Sequence, residues 1–79
     1  MEQTAIEKKF PGVLKHFNLT PDGFAKKVFD YRRMNGYTLR DLGDIIGGVG
    51  PQTVMRWERM LSFPRSRPMI KRLIDLNII

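Results

Sequence analysis

No cysteine occurs in the 79 residues, which excludes disulfides and thiolate metal sites as supports for the fold. A chain this short has only a modest core and depends on packing, often helped by oligomerisation. Histidine occurs once, at His16, whereas a metal centre needs several such ligands, so no metal is expected. No apolar run reaches the roughly 18 residues of a membrane span. The first residues, Met-Glu-Gln-Thr-Ala-Ile-Glu-Lys-Lys, contain no apolar stretch of signal-peptide length. These absences predict a cytoplasmic protein with no membrane partner. No segment alternates apolar and polar residues over strand length, so no significant sheet is expected. Acidic residues are scarce: 8 Asp and Glu against 14 Lys and Arg leave a net charge of +6. That excess, with a pI near 10.2, favours a polyanionic partner, although charge alone fits a solvated basic surface equally well.

What is present reads as an all-α protein, a small helix-turn-helix bundle of about five short helices. Length allows one domain over residues 1–79, divided into an N-terminal extension, 1–19, and a core, 20–79. A short helix is expected over residues 2–10, stopped by Pro11-Gly12. Phe10, Val13, Leu14, Phe17 and Leu19 follow at roughly helical spacing and read as core, with a dimer contact as the alternative. Thr20-Pro21-Asp22 is a helix start: a cap, a proline suited to the first turn, and a carboxylate at the positive end of the dipole. Phe24, Val28 and Tyr31 share one face of that helix, which Asn35-Gly36 should end. Thr38 opens a further helix, Leu39 to Ile46, and Gly47-Gly48-Val49-Gly50 breaks it. Pro51 begins another, expected to run to Leu61 with Val54, Trp57 and Leu61 on one face. A loop to Arg67 precedes a last helix opened by Pro68, with Ile70, Leu73 and Ile74 apolar.

Two short helices joined by a glycine turn suggest a helix-turn-helix. Close crossing needs a small residue on the inner face of the first helix, and Gly43 sits there. The turn needs a flexible residue and an apolar plug, which Gly47 and Val49 supply. Val54 and Trp57 anchor the second helix, leaving Gln52, Thr53, Arg56 and Arg59 on its outer face with Met55 beside them.

In these residues the chain resembles the Cro/C1-type (XRE-like) helix-turn-helix family of phage and bacterial repressors, over about Phe24 to Leu76. Tyr31-Arg32-Arg33-Met34-Asn35-Gly36-Tyr37-Thr38 is similar to the end of that family's first helix. Leu42-Gly43-Asp44-Ile45-Ile46-Gly47 resembles its Leu-Ala-x-x-Leu-Gly, and Thr53-Val54-Met55-Arg56-Trp57-Glu58 its Thr-Ile-Ser-Arg-Trp-Glu. Pro68 with Ile70, Leu73, Ile74 and Leu76 is similar to its final helix. The chain departs from the pattern at Gly48, one extra turn residue; at Leu39, where a polar residue is usual; and at Pro51, which has no donor for a base.

The resemblance implies double-stranded DNA as partner, bound by a homodimer, with transcriptional regulation and repression as the output. Gln52 and Arg56 are the expected base readers, Gln suiting adenine N6 and N7 and Arg suiting guanine O6 and N7. Thr53 is expected at a phosphate or a thymine methyl. Arg40, Arg59, Arg65 and Arg67 are the phosphate candidates. Arg32 and Glu58 are expected to pair, partly buried, and to orient the reading helix, while Trp57 is a core anchor. For dimerisation, the N-terminal cluster and Leu76 to Ile79 are the candidate surfaces.

Other chemistry has little footing. Ser62 and Ser66 have no histidine at a recognisable motif spacing. Asp41 and Asp44, one turn apart, read as solvated carboxylates. Gly47 to Gly50 lacks the Lys-Ser/Thr of a phosphate loop and any preceding strand. No enzyme activity, cofactor or small-molecule ligand is therefore expected. Two alternatives stand beside the repressor reading. Tyr37 to Arg59 also resembles the helix-turn-helix of MerR-type regulators and excisionases, which continue into a β wing. A helix-turn-helix can also serve as a protein-binding module, for example a phage inhibitor of a host enzyme.

Overall fold

Residues 9–79 of the computed structural model are described, and they form five α-helices with no strand among them. These are α1 (Gly12–Lys15), α2 (Pro21–Met34), α3 (Leu39–Ile46), α4 (Pro51–Glu58) and α5 (Arg67–Asp75). The all-α pattern read from the sequence is the one found. Of the helix expected over 2–10, residues 2–8 lie outside the described residues. Pro11, expected as a stop, also serves as the residue from which α1 starts.

Side-chain caps set most of the helix starts, because the first N–H groups of a helix have no partner within it. The Thr20 hydroxyl accepts from the Gly23 N–H at 3.0 Å ahead of α2. Ser66 accepts from the Met69 N–H at 3.3 Å, which places Arg67 inside α5 and Pro68 at its second position. Thr38 and Asp41 cap α3 reciprocally, with the Asp41 N–H donating to the Thr38 hydroxyl and the Thr38 N–H to the Asp41 carboxylate, both at 3.0 Å.

The bonds that Asp41 makes to Thr38, first to its backbone N–H and then to its side chain, hold the Asp41 carboxyl below the usual carboxylate range. A depressed folded-state pKa contributes stability above the unfolded value and loses it as pH falls. Asp41→Asn is accordingly expected to be less stable than the parent at pH 7. The difference should shrink as pH drops below about 4, the ordinary aspartate value. Urea midpoints measured across that range check this; a constant gap at all pH values would assign the effect to shape and not to charge.

Three helices end in the same way. The residue after the C-cap adopts a left-handed conformation, and the next N–H reaches back to the third-last helical carbonyl. These bonds run from Tyr37 to Arg32 at 2.9 Å, from Leu61 to Arg56 at 2.8 Å and from Ile78 to Leu73 at 2.9 Å. The left-handed residues are Gly36 (φ 67°), Met60 (φ 61°) and Asn77 (φ 61°). The Met60 stop corrects the expected length of the reading helix: it ends at Glu58, not Leu61. Met60 packs against the core, and Leu61 is left 50% exposed instead of sharing the inner face. The Asn77 stop turns Ile78 back into the core, where it is 3% exposed. Ile78 is therefore not an uncovered apolar end, which removes most of the C-terminal candidate for dimerisation.

The core gathers on the shared side of α2, α3 and α4. Phe24, Val28, Leu42, Ile46, Val54, Leu14 and Leu73 are fully buried. Phe10, Phe63, Phe24 and Trp57 form a run of edge-to-face rings with centroids 5.0 to 6.1 Å apart. This run ties the N-terminal segment and the 61–66 loop to α2 and α4. Most of the N-terminal cluster thus serves the protein's own core. Phe17 does not: it is 45% exposed. Ile74, read as apolar-face, lies at the α5 surface. No helix among the described residues is long and apolar enough to cross a membrane.

Candidate nucleic-acid interface

The α3–α4 unit is held by one close approach. Gly43 lies on the inner face of α3, and a Cβ there would sit 2.1 Å from the Val49 carbonyl oxygen. The turn backbone entering α4 therefore rests directly on α3. Val49 is buried as the plug, while Gly47 and Gly48 take positive φ (104° and 72°) to reverse the chain. Gly47 has a second reason to lack a side chain: its Cβ would meet the Arg72 guanidinium at 2.8 Å. The Arg72 Nε–H donates to the Ile46 carbonyl and so caps the C-terminus of α3 from α5. Sequence reasoning missed Arg72. Its only signal was that cations suit helix C-termini, and nothing in the order of residues says which terminus an arginine on another helix will meet.

From the turn, α4 leaves with a fixed rotation. Val54 and Trp57 are buried at 0% and 3% exposure. Helical geometry of about 100° per residue then turns Gln52, Arg56 and Arg59 to the far side, and all three are exposed. Pro51 is exposed, while Thr53 and Met55 are half-buried on the two flanks. Thr53 is thus placed at the edge of the face, not on its crest.

Glu58 is kept off that face by Arg32. The Arg32 Nε–H donates to Glu58 Oε2 at 2.8 Å and a second nitrogen donates to Oε1 at 3.1 Å, a two-pronged contact. A third Arg32 donor reaches the Tyr37 carbonyl at 3.2 Å. The two side chains are 17% and 9% exposed. The hydrogen bond that Arg32 donates to Glu58 raises the arginine pKa further above its already high ordinary value, so Arg32 stays charged. One side chain therefore joins α2, the 35–37 turn and the end of α4.

The phosphate candidates do not form a single group. Arg40 is exposed at the second position of α3, and Arg59 is exposed at the C-cap of α4, next to the Gln52–Arg56 face. Arg65 is exposed, but its guanidinium donates to the Lys9 carbonyl at 2.8 Å, which draws it toward the N-terminal segment. Arg67 is exposed at the first position of α5. Among the described residues the ion pairs are Lys26–Asp30 and Arg32–Glu58, so none of Arg40, Arg56, Arg59, Arg65 and Arg67 is neutralised by a carboxylate there. The outcome is a short convex helix face carrying an amide and two guanidinium groups, with its neighbouring carboxylate turned inward. Compared with protein-family models, curated proteins and solved structures, the chain gives no match.

Proposed function

We propose that the chain is a sequence-specific double-stranded DNA-binding transcription regulator, acting as a repressor, that reads the major groove with the outer face of α4. The supporting observation is the rotation of that helix. With Val54 and Trp57 buried, Gln52 and Arg56 stand exposed one turn apart, and Glu58 is engaged by Arg32. A major groove about 12 Å wide admits such a helix, and these two side-chain types suit bidentate reading of adenine and guanine. Arg40 and Arg59 flank the face as phosphate contacts, while Arg65 and Arg67 add basic charge farther along the chain. The same reading takes the protein to be a cytoplasmic, non-enzymatic homodimer bound to half-sites about one helical turn apart. Phe17, Leu61 and Ile74 are exposed apolar groups on which a dimer contact would draw.

Selection of bound sequences from a random duplex pool tests the reading, with half-site symmetry reporting on the dimer. Affinity is expected to fall steeply with salt, because neutralised phosphates release counterions. A salt-insensitive complex would favour the protein-binding module. The MerR or excisionase alternative needs a β wing, and the described residues contain no strand.

Arg56→Ala is expected to weaken binding at the selected site by about 1–3 kcal/mol and to relax preference at one base position. Arg65→Ala should weaken binding to every sequence and lower the salt slope. Competition with variant sites reads both. Unchanged base preference in the Arg56 variant would show that another face does the reading.

A further inference from the structure

A groove of about 320 Å³ opens beside the α4 face, and of its exposed lining the DNA reading uses Arg59 alone, as a phosphate contact. Phe29 from α2, Leu39 from α3 and Met55 from α4 supply its apolar surface, and Arg32, Glu58 and Arg59 complete the lining. Phe29 is 41% exposed, high for a phenylalanine in so small a core. Its ring is held by two guanidinium groups, Arg32 at 5.4 Å and Arg33 at 5.7 Å from the centroid. Leu39 is half-buried, with one side packed against the core and the other on the groove.

The charges around the groove select its occupant. Its only carboxylate among the described residues, Glu58, already accepts both prongs of Arg32. Arg33 and Arg59, both exposed, have no ion-pair partner among the described residues. An incoming chain thus meets an apolar floor with uncompensated positive charge at its edge. A basic segment is repelled, and a purely acidic one leaves Phe29, Leu39 and Met55 wetted. We propose that this groove docks an acidic peptide segment of a protein partner, an apolar side chain seated on Phe29, Leu39 and Met55 and carboxylates on Arg33 and Arg59. Anchors of this type dominate peptide recognition, with flanking charge adding rate and specificity.

The probe is the synthetic peptide Glu-Asp-Glu-Phe-Glu-Asp-Leu-Glu, capped at both ends and titrated into the full chain while backbone amide resonances are followed. Shifts are expected to centre on Phe29, Leu39, Met55 and Arg59. Replacing the peptide's Phe and Leu by Ser, or its acids by Lys, should weaken binding about tenfold or more. Phe29→Ser and, independently, the exposed Arg33→Glu should weaken it similarly while circular dichroism stays that of the parent. The proposal is overturned if the peptide fails to bind at millimolar concentration, or if the serine control binds as well. It is also overturned if shifts centre on Gln52 and Arg56, or if these resonances move with protein concentration alone, the sign of a second copy in the groove. Duplex selection is read separately, so failure of the peptide and failure of the DNA reading are distinct results.

Discussion

Gly43→Ala is expected to lower stability by about 2 kcal/mol, although the same change in an open helical position is favourable. Two effects oppose each other. Alanine in a helix interior gains up to about 1 kcal/mol over glycine by restricting the unfolded chain and improving propensity. Overpacking costs typically about 1–3 kcal/mol, and occasionally more. The neighbours decide the sign. The added Cβ would meet the Val49 carbonyl oxygen at 2.1 Å, the Val49 carbonyl carbon at 3.1 Å and the Gly50 carbonyl carbon at 3.6 Å, all backbone atoms with no rotamer to yield. Relief requires moving the turn, and with it the start of α4. A domain this small is stable by only about 0.05–0.15 kcal/mol per residue, so the loss is a large share of the total. Urea unfolding measures it, with Gly12→Ala as the control. Gly12 opens α1 with nothing within 4 Å of its would-be Cβ, so that variant should match or exceed the parent. A Gly43 variant within about 0.5 kcal/mol of the parent would mean that the turn is free to retreat, and the fixed rotation of α4 would lose its main support.

That rotation was legible in the sequence because it follows from local rules. Thr20, Thr38 and Asn35-Gly36 mark helix ends by side-chain and backbone chemistry that acts within four residues, and the observed ends match them. Gly43 and Val49 were legible for a different reason, as the small residue and the plug that two crossing helices require. What escaped was set at long range or against local preference. Met60 adopts a left-handed conformation that costs a side-chain-bearing residue roughly 1–2 kcal/mol, and its burial against the core offsets this. Propensity alone would have carried the helix on to Leu61. Phe17 has the spacing of a core residue, yet α1 ends at Lys15 and Asn18 turns left-handed, which breaks the periodicity that placed it. Arg72 and the Lys9 anchor of Arg65 are contacts between segments far apart in sequence, which no spacing rule encodes.

Glu58→Ala is expected to cost about 2–3 kcal/mol, below the roughly 3–5 kcal/mol of a fully buried pair because Arg32 keeps some access to water. Most of that loss comes from Arg32, left charged and poorly solvated with two of its donors unanswered. The exposed Lys26–Asp30 pair provides the contrast. Its side chains are 75% and 44% exposed, and Lys26→Ala should stay within about 0.5 kcal/mol of the parent. Replacing both partners, Arg32→Met with Glu58→Met, removes the stranded charge and should recover most of the stability that Glu58→Ala loses. Denaturant unfolding of Arg32→Met, Glu58→Met and the double gives the coupling directly, and additive losses would show that the pair is incidental. The double variant also separates folding from orientation. It keeps a packed core but loses the clamp from α2 and the Tyr37 carbonyl to the end of α4. If that clamp sets the angle at which Gln52 and Arg56 meet a duplex, the double variant should bind random DNA nearly as well as the parent while discriminating less between sites. Equal discrimination would place the control of the angle in the Gly43 contact alone.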